Sequence, residues 1–231
     1  MIRNFSEFCT ELSKVGFSGA VGGKDDGVFG LFRYGWGAQD ESQLYWHTGD
    51  PETDPWEWRI RVLDERNDIA YSKVFFRKAG YITKEWYPYF LAARRDGATF
   101  REAYADGLYS QYTKRIYEAL LENGPLPLHE IKIHGGFGKD DKSRFDKALT
   151  DLQMGLFITM CGRQQKRSKT GEEYGWASTM FCTVEEFWPS EIFDNAASIN
   201  ADDAEDMIIE RIYHLNPNAE EKKIKKFIFG K

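Results

Sequence analysis

The chain has 231 residues, of which 42% are hydrophobic and 16% aromatic, a composition that excludes a disordered chain and leaves room for one or two buried cores. A formal net charge of −6 argues against nonspecific adhesion to nucleic acid by the molecule as a whole. No run of about 18 or more uncharged apolar residues occurs, so no membrane span is expected. Near the N-terminus Phe5, Phe8, Leu12 and Val15 recur at helical spacing, with Asn4 and Glu7 placed as a capping box. Glu7 and Glu11 interrupt the apolar stretch that a secretory signal needs.

Residues 17–45 are rich in glycine and aromatics, and Val28 to Tyr34 alternates as a strand does. Ser18 to Lys24 falls short of a phosphate loop. Ser18 replaces the first glycine, and Asp25 follows the lysine where a magnesium-binding hydroxyl belongs, so nucleotide binding is not expected. The run from Trp46 to Arg59 ends in a strong helix start, with Asp54 at the cap, Pro55 at the first helical position and Glu57 at the third. That helix is expected to turn Trp56, Ile60 and Leu63 inward. Tyr71 to Phe76 reads as a strand, and Thr83 as the cap of a helix burying Tyr87, Phe90 and Leu91.

Gly97 and Gly107 bracket a polar connector, and a different pattern begins at Ser110. A helix with Ile116, Ala119 and Leu120 ends at Gly124, and a short helix follows around Glu130 to His134. After the glycine break comes a longer helix with Phe145, Leu149 and Leu152 at i, i+4 and i+7. Two β-rich segments, Leu156–Cys161 and Tyr174–Thr183, flank a basic loop at 163–171. Three helices and then a hairpin is the layout of a winged helix-turn-helix, in which one helix enters a DNA groove and the hairpin tip lies on the backbone. The expected architecture is therefore α+β: a mixed α/β domain (1–108), a winged-helix domain (109–189) and a C-terminal helical extension (190–231).

The expected DNA contacts are Lys142, Ser143 and Arg144 at the start of the longer helix, and Arg163, Gln164, Gln165, Lys166, Arg167 and Lys169 in the wing. Residues 110–188 carry 11 Lys and Arg against 11 Asp and Glu, so placement rather than net charge decides. The acids Asp202, Asp203, Glu205 and Asp206 suit the first turn of a later helix, and a solvated face accounts for the lysines of the last one. The three cysteines are odd in number for a disulfide framework and are read as reduced thiols of a cytoplasmic protein. The register implied by the loop sets Cys161 near Gly175. No Cys-x-x-Cys or Cys/His spacing points to zinc, and no cofactor is expected.

At Trp46–Arg59, with its His-Thr-Gly-Asp-Pro-Glu-Thr-Asp-Pro-Trp run, and again from Gly124-Pro125-Leu126 to Phe187-Trp188-Pro189, the chain resembles the AlkZ/YcaQ-like winged-helix family. It is most similar there to the short AlkZ-related members, over roughly residues 44–190. The resemblance implies a double-stranded DNA partner and an association with damaged or distorted duplex, since larger members are bacterial glycosylases that excise alkylated or crosslinked bases. Glycosylase-type members carry a Gln-apolar-Gln or Gln-apolar-Asp triplet. Gln39, Gln43 and Gln111 here form no such triplet, so no catalytic residue carries over. Were the chain a glycosylase, His47, Asp50 and Glu52 would be the candidate catalytic groups, beside Trp46, Trp56 and Trp58 for base stacking. A third reading makes the winged helix a protein-interaction module.

Overall fold

The computed structural model describes residues 2–19, 28–31, 46–167 and 172–230, the side chains of Lys166, Arg167, Glu173, Tyr174 and Trp176 excepted. Most of the near-miss phosphate loop, Phe32–Tyr34 of the expected strand Val28–Tyr34, and Ser168–Gly171 with Lys169 lie outside the described residues, and Val28–Leu31 are not strand. The chain is a mixed α+β protein with two small antiparallel sheets among those residues. It divides into a unit of residues 1–97 with 191–231 and a second unit of residues 98–190.

The first unit opens with α1 (Phe5–Val15), whose Asn4 cap accepts from the Glu7 amide at 2.9 Å. The reciprocal half of the box is missing, because the Glu7 carboxylate takes the Arg3 amide and guanidinium instead. Gly16 ends the helix at φ 94°, and a Cβ there would sit 2.2 Å from the Trp86 ring, so glycine serves both conformation and space. Strand β1 (Phe17–Gly19) follows, then α2 (Pro55–Glu65), β2 (Ile69–Phe75), β3 (Lys78–Thr83) and α3 (Tyr87–Arg95). The sheet order is β1-β3-β2. Phe76 and Arg77, both at positive φ, make the β2–β3 turn without glycine. Thr83 ends β3 rather than capping α3, whose Tyr87, Phe90 and Leu91 are buried as expected.

In α2 the inward face differs from the expected one. Trp58 and Val62 are fully buried, while Trp56 is 39% exposed. Both stripes are apolar, and packing decides between them: Trp58 stacks on Phe8 at 5.3 Å, and Phe8 meets Tyr81 edge-on at 5.1 Å.

The second unit begins where a connector was expected. Thr99 and Glu102 form a full capping box on α4 (Phe100–Ala105), and Phe100 and Ala103 belong to the core. Then come α5 (Gln111–Asn123), β4 (Leu126–Pro127), α6 (Leu128–His134), a short 3-10 turn at Lys139–Asp141, α7 (Lys142–Met154), β5 (Ile158–Arg167), β6 (Glu173–Thr183) and α8 (Val184–Phe187). The strands run in the order β4-β6-β5. Ile116, Leu120, Ile131, Phe145, Leu152 and Phe181 meet in one core. Burying each such side chain contributes about 1.5–3 kcal/mol before entropy is counted.

The chain then returns to the first unit with α9 (Glu191–Ala197), α10 (Ala201–Leu215) and α11 (Glu221–Phe229). These helices do not stand apart as an extension. Ile208 and Ile212 of α10 are fully buried, α10 and α9 pack on α3, and Phe227 of α11 stacks on Phe75 at 3.8 Å. Their apolar faces need a partner, and the N-terminal sheet and α3 supply it.

Candidate nucleic-acid interface

The Trp46–Arg59 segment is organised by one buried carboxylate. Asp54 is fully buried and accepts from the amides of His47 (3.1 Å), Gly49 (3.0 Å) and Trp56 (2.8 Å). It thus caps α2 and closes the preceding loop at once. His47 is exposed at φ 62°, with its ring 4.6 Å from that of Trp56. The Arg59 guanidinium lies 3.3 Å from the centre of the same indole. Trp56 therefore carries both a histidine and an arginine, and Trp58 is core, so neither indole offers an open platform for a base.

The two other candidate acids are engaged by local geometry. Asp50 accepts from the Thr53 hydroxyl at 2.6 Å and the Glu52 amide at 3.0 Å, and these bonds, the hydroxyl first, hold its carboxyl below the ordinary aspartate range. Glu52 pairs with Arg61 at 2.6 Å, while its carbonyl accepts from Phe5 and from the Trp58 indole. The structure brings His47, Asp50 and Glu52 onto one loop but gives both carboxylates a structural occupation. A recess of about 460 Å³ in the same unit, lined by residues that include Thr83, Lys84 and Glu191, uses none of the three.

In the second unit the start of α7 is built by a hydrogen-bond chain. Gly138 donates its amide to Asp141 Oδ2 (2.9 Å), the Tyr112 hydroxyl donates to Asp141 Oδ1 (3.1 Å), and Arg144 Nη1 donates to Tyr112 Oη (2.9 Å). The Gly138 bond comes first among the causes that lower the Asp141 pKa. Arg115 of α5 donates to the carbonyls of Gly135 and Gly136 (2.8 and 2.6 Å), tying down the glycine break, and its guanidinium lies 4.1 Å from the Phe137 ring centre. Lys142, Ser143 and Arg144 are all exposed on this helix start, beside Lys139. Asp140 and Asp146 are exposed among them and dilute the positive charge.

The segment expected to form a basic wing loop takes another form. Arg163 to Arg167 are not loop but strand, with Arg163 opposite Thr179, Gln164 opposite Ser178 and Arg167 opposite Glu173. The strand β5 is an edge, where polar and charged side chains face water without cost to the ladder. Arg163 and Gln164 are exposed. Gln165 donates to the Gly175 carbonyl at 2.7 Å and so serves the hairpin itself. Lys166 and Arg167 have described backbone only, and Lys169 lies outside the described residues. Cys161 does not approach Gly175. It sits in a bulge beside the Met160–Phe181 pair, one step from Cys182, which faces Thr159.

A family model described as AlkZ related matches residues 2–229. The chain belongs to the AlkZ-related family. The match takes in nearly the whole chain, well beyond the 44–190 of the expected resemblance, and so includes α1, α10 and α11 among the elements of an AlkZ-related protein. Neither a curated protein nor a solved structure matches this AlkZ-related chain. Among its described helices none is long and apolar enough to cross a membrane.

Tyr112, Arg115 and Asp141 are residues of this surface that the sequence does not single out. Tyr112 meets Asp141 and Arg144 across 29 and 32 positions, and no local spacing announces such a pairing.

Proposed function

We propose that residues 98–190 form a winged helix that binds double-stranded DNA in the AlkZ-like manner, with a preference for damaged or distorted duplex. The order of elements carries this reading: helix α5, short strand β4, helices α6 and α7, then the hairpin β5–β6, with β4 paired to β6 beside β5. That is the sequence of parts in which the third helix faces a groove and the hairpin lies along the backbone. Lys142, Ser143 and Arg144 at the start of α7 and Arg163 and Gln164 on β5 supply the contacts. Membership of the AlkZ-related family supports a role associated with DNA repair. Base excision by the His47 loop would require Asp50 to leave its turn or Glu52 to leave Arg61.

The test is fluorescence anisotropy of the full chain with fluorescein-labelled duplexes, intact, mismatched or alkylated. Binding at low salt should tighten on the distorted duplexes. The combined Lys142→Gln, Arg144→Gln and Arg163→Gln variant should bind more weakly, its slope of log K on log salt flatter by about 0.9 for each phosphate that is no longer neutralised. Absence of binding to any duplex at low salt, or an unchanged slope in the triple variant, would overturn the reading.

A further inference from the structure

Cys161 and Cys182 form a pair that the β5–β6 register creates. Thr159 lies opposite Cys182 and Met160 opposite Phe181; the register then shifts, so that Gly162 rather than Cys161 faces Met180. Cys161 is thus the extra residue of a bulge, and Gly162, at φ 144°, takes a conformation that favours glycine. Phe181 and Met160 pack with the second unit's core. Alternation along the strands turns Cys182 and Thr159 to the other side of the ladder, and Cys161, two positions from Thr159, lies in the bulge next to that pair. The two cysteines are thus neighbours across the hairpin, one register step apart on paired strands. Cys182 is 2% exposed and Cys161 half-buried, so one thiol is sheltered and the other reachable by a small solute. The neighbouring Cys161, and then burial, push the Cys182 thiol's pKa up and keep it protonated. The third cysteine, Cys9, is buried in the other unit.

We propose that Cys161 and Cys182 are a modification site for peroxides, oxidised together to a disulfide across the hairpin bulge. The Cys161 sulfur attacks the peroxide, its S–O bond forming as the O–O bond breaks. This gives a sulfenic acid and releases water from hydrogen peroxide or an alcohol from an alkyl peroxide. Cys182 then attacks that sulfur. The S–S bond forms, the S–O bond breaks, and the departing hydroxide takes the Cys182 proton as water. Two electrons pass from the two thiols to one peroxide. A sheltered partner one register step from a reachable thiol favours the disulfide over further oxidation, because capture of the sulfenic acid is intramolecular.

Hydrogen peroxide is the probe, applied to the full chain in its folded state, followed by denaturing alkylation and peptide mapping. The alkylatable thiols should fall from three to one, leaving Cys9, with the mass lowered by two hydrogens and a 161–182 crosslinked peptide that reductant removes. Cys161→Ser should keep both remaining thiols alkylatable after the same treatment. Cys182→Ala should instead carry Cys161 onward to sulfinic acid. Three thiols still alkylatable in the treated wild type, a crosslink that involves Cys9, or Cys161 oxidised to sulfinic acid with Cys182 untouched would each overturn the proposal. Should Cys182→Ala fail to fold, the wild-type map and Cys161→Ser still decide it.

Discussion

Arg94 donates through Nη2 to the carbonyl of Phe227 at 3.1 Å, across 133 positions of chain. The same guanidinium donates to Ile228 through Nε and to Val74 at 2.7 Å, and it lies over the Phe75 and Phe90 rings. The last carbonyls of a helix have no partner within it, and here an arginine from α3 supplies one for α11. Replacing it by a side chain of similar length and no donors, Arg94→Met, should lower stability by about 1.5–3 kcal/mol, the range for hydrogen bonds to a charged group. Arg94→Lys should recover less than half, since a single ammonium cannot fork to three carbonyls. Urea unfolding measures both, and a Met variant with the wild-type midpoint would show that the arginine adds nothing.

Asp54 should be the most sensitive position of the Trp46–Arg59 loop. Asp54→Ala removes the acceptor for three amides and is expected to cost about 2 kcal/mol. Asp54→Asn should cost less, because the amide oxygen still accepts. Hydrogen exchange reads the effect locally: the amides of His47, Gly49 and Trp56 should lose protection together in the Ala variant. Loss at Trp56 alone would mean that the loop closes by other means.

The Arg66–Asp68 pair sets a pH dependence. Two hydrogen bonds, at 2.8 and 2.6 Å, hold the Asp68 carboxyl below its ordinary pKa, the Arg66 bond being the largest cause. A depressed carboxylate stabilises the fold above its unfolded pKa of about 3.9, and that contribution is lost as pH falls through the lower folded value. Arg66→Met should therefore be less stable than wild type at neutral pH, and the gap should narrow as acid protonates Asp68. Both groups are partly exposed, so a difference under about 1 kcal/mol is expected. A gap that persists unchanged to about pH 2, below the ordinary aspartate range, would assign the effect to packing instead.

Gly155 is required for space rather than for its backbone angle. A Cβ there would lie 2.1 Å from the Tyr109 hydroxyl oxygen and 3.0 Å from the Phe157 ring. Gly155→Ala should destabilise the second unit by about 1–3 kcal/mol, as overpacking does. Adding Tyr109→Phe removes the clashing oxygen and should restore part of that stability. A double-mutant cycle by thermal unfolding tests it, and strict additivity would show that the clash is relieved elsewhere.

What the amino-acid sequence alone determined are the features that arise within a few residues. Asp54-Pro55 starts α2, Ser110 and Gly124 bound α5, and Phe145, Leu149 and Leu152 mark the buried face of α7, because caps and helical periodicity act through neighbours three or four positions apart. Tertiary structure alone decided between stripes and registers of equal local quality. It turned Trp58 inward over Trp56 because Phe8, itself packed edge-on with Tyr81, was there to receive it, and it drew Arg163–Arg167 into the β5 edge. It folded α10 and α11 back on the N-terminal unit and brought Tyr112 to Arg144 and Cys161 to Cys182. Such pairings are chosen by which apolar faces and backbone ladders can be satisfied simultaneously, and that competition is settled only when the whole chain packs.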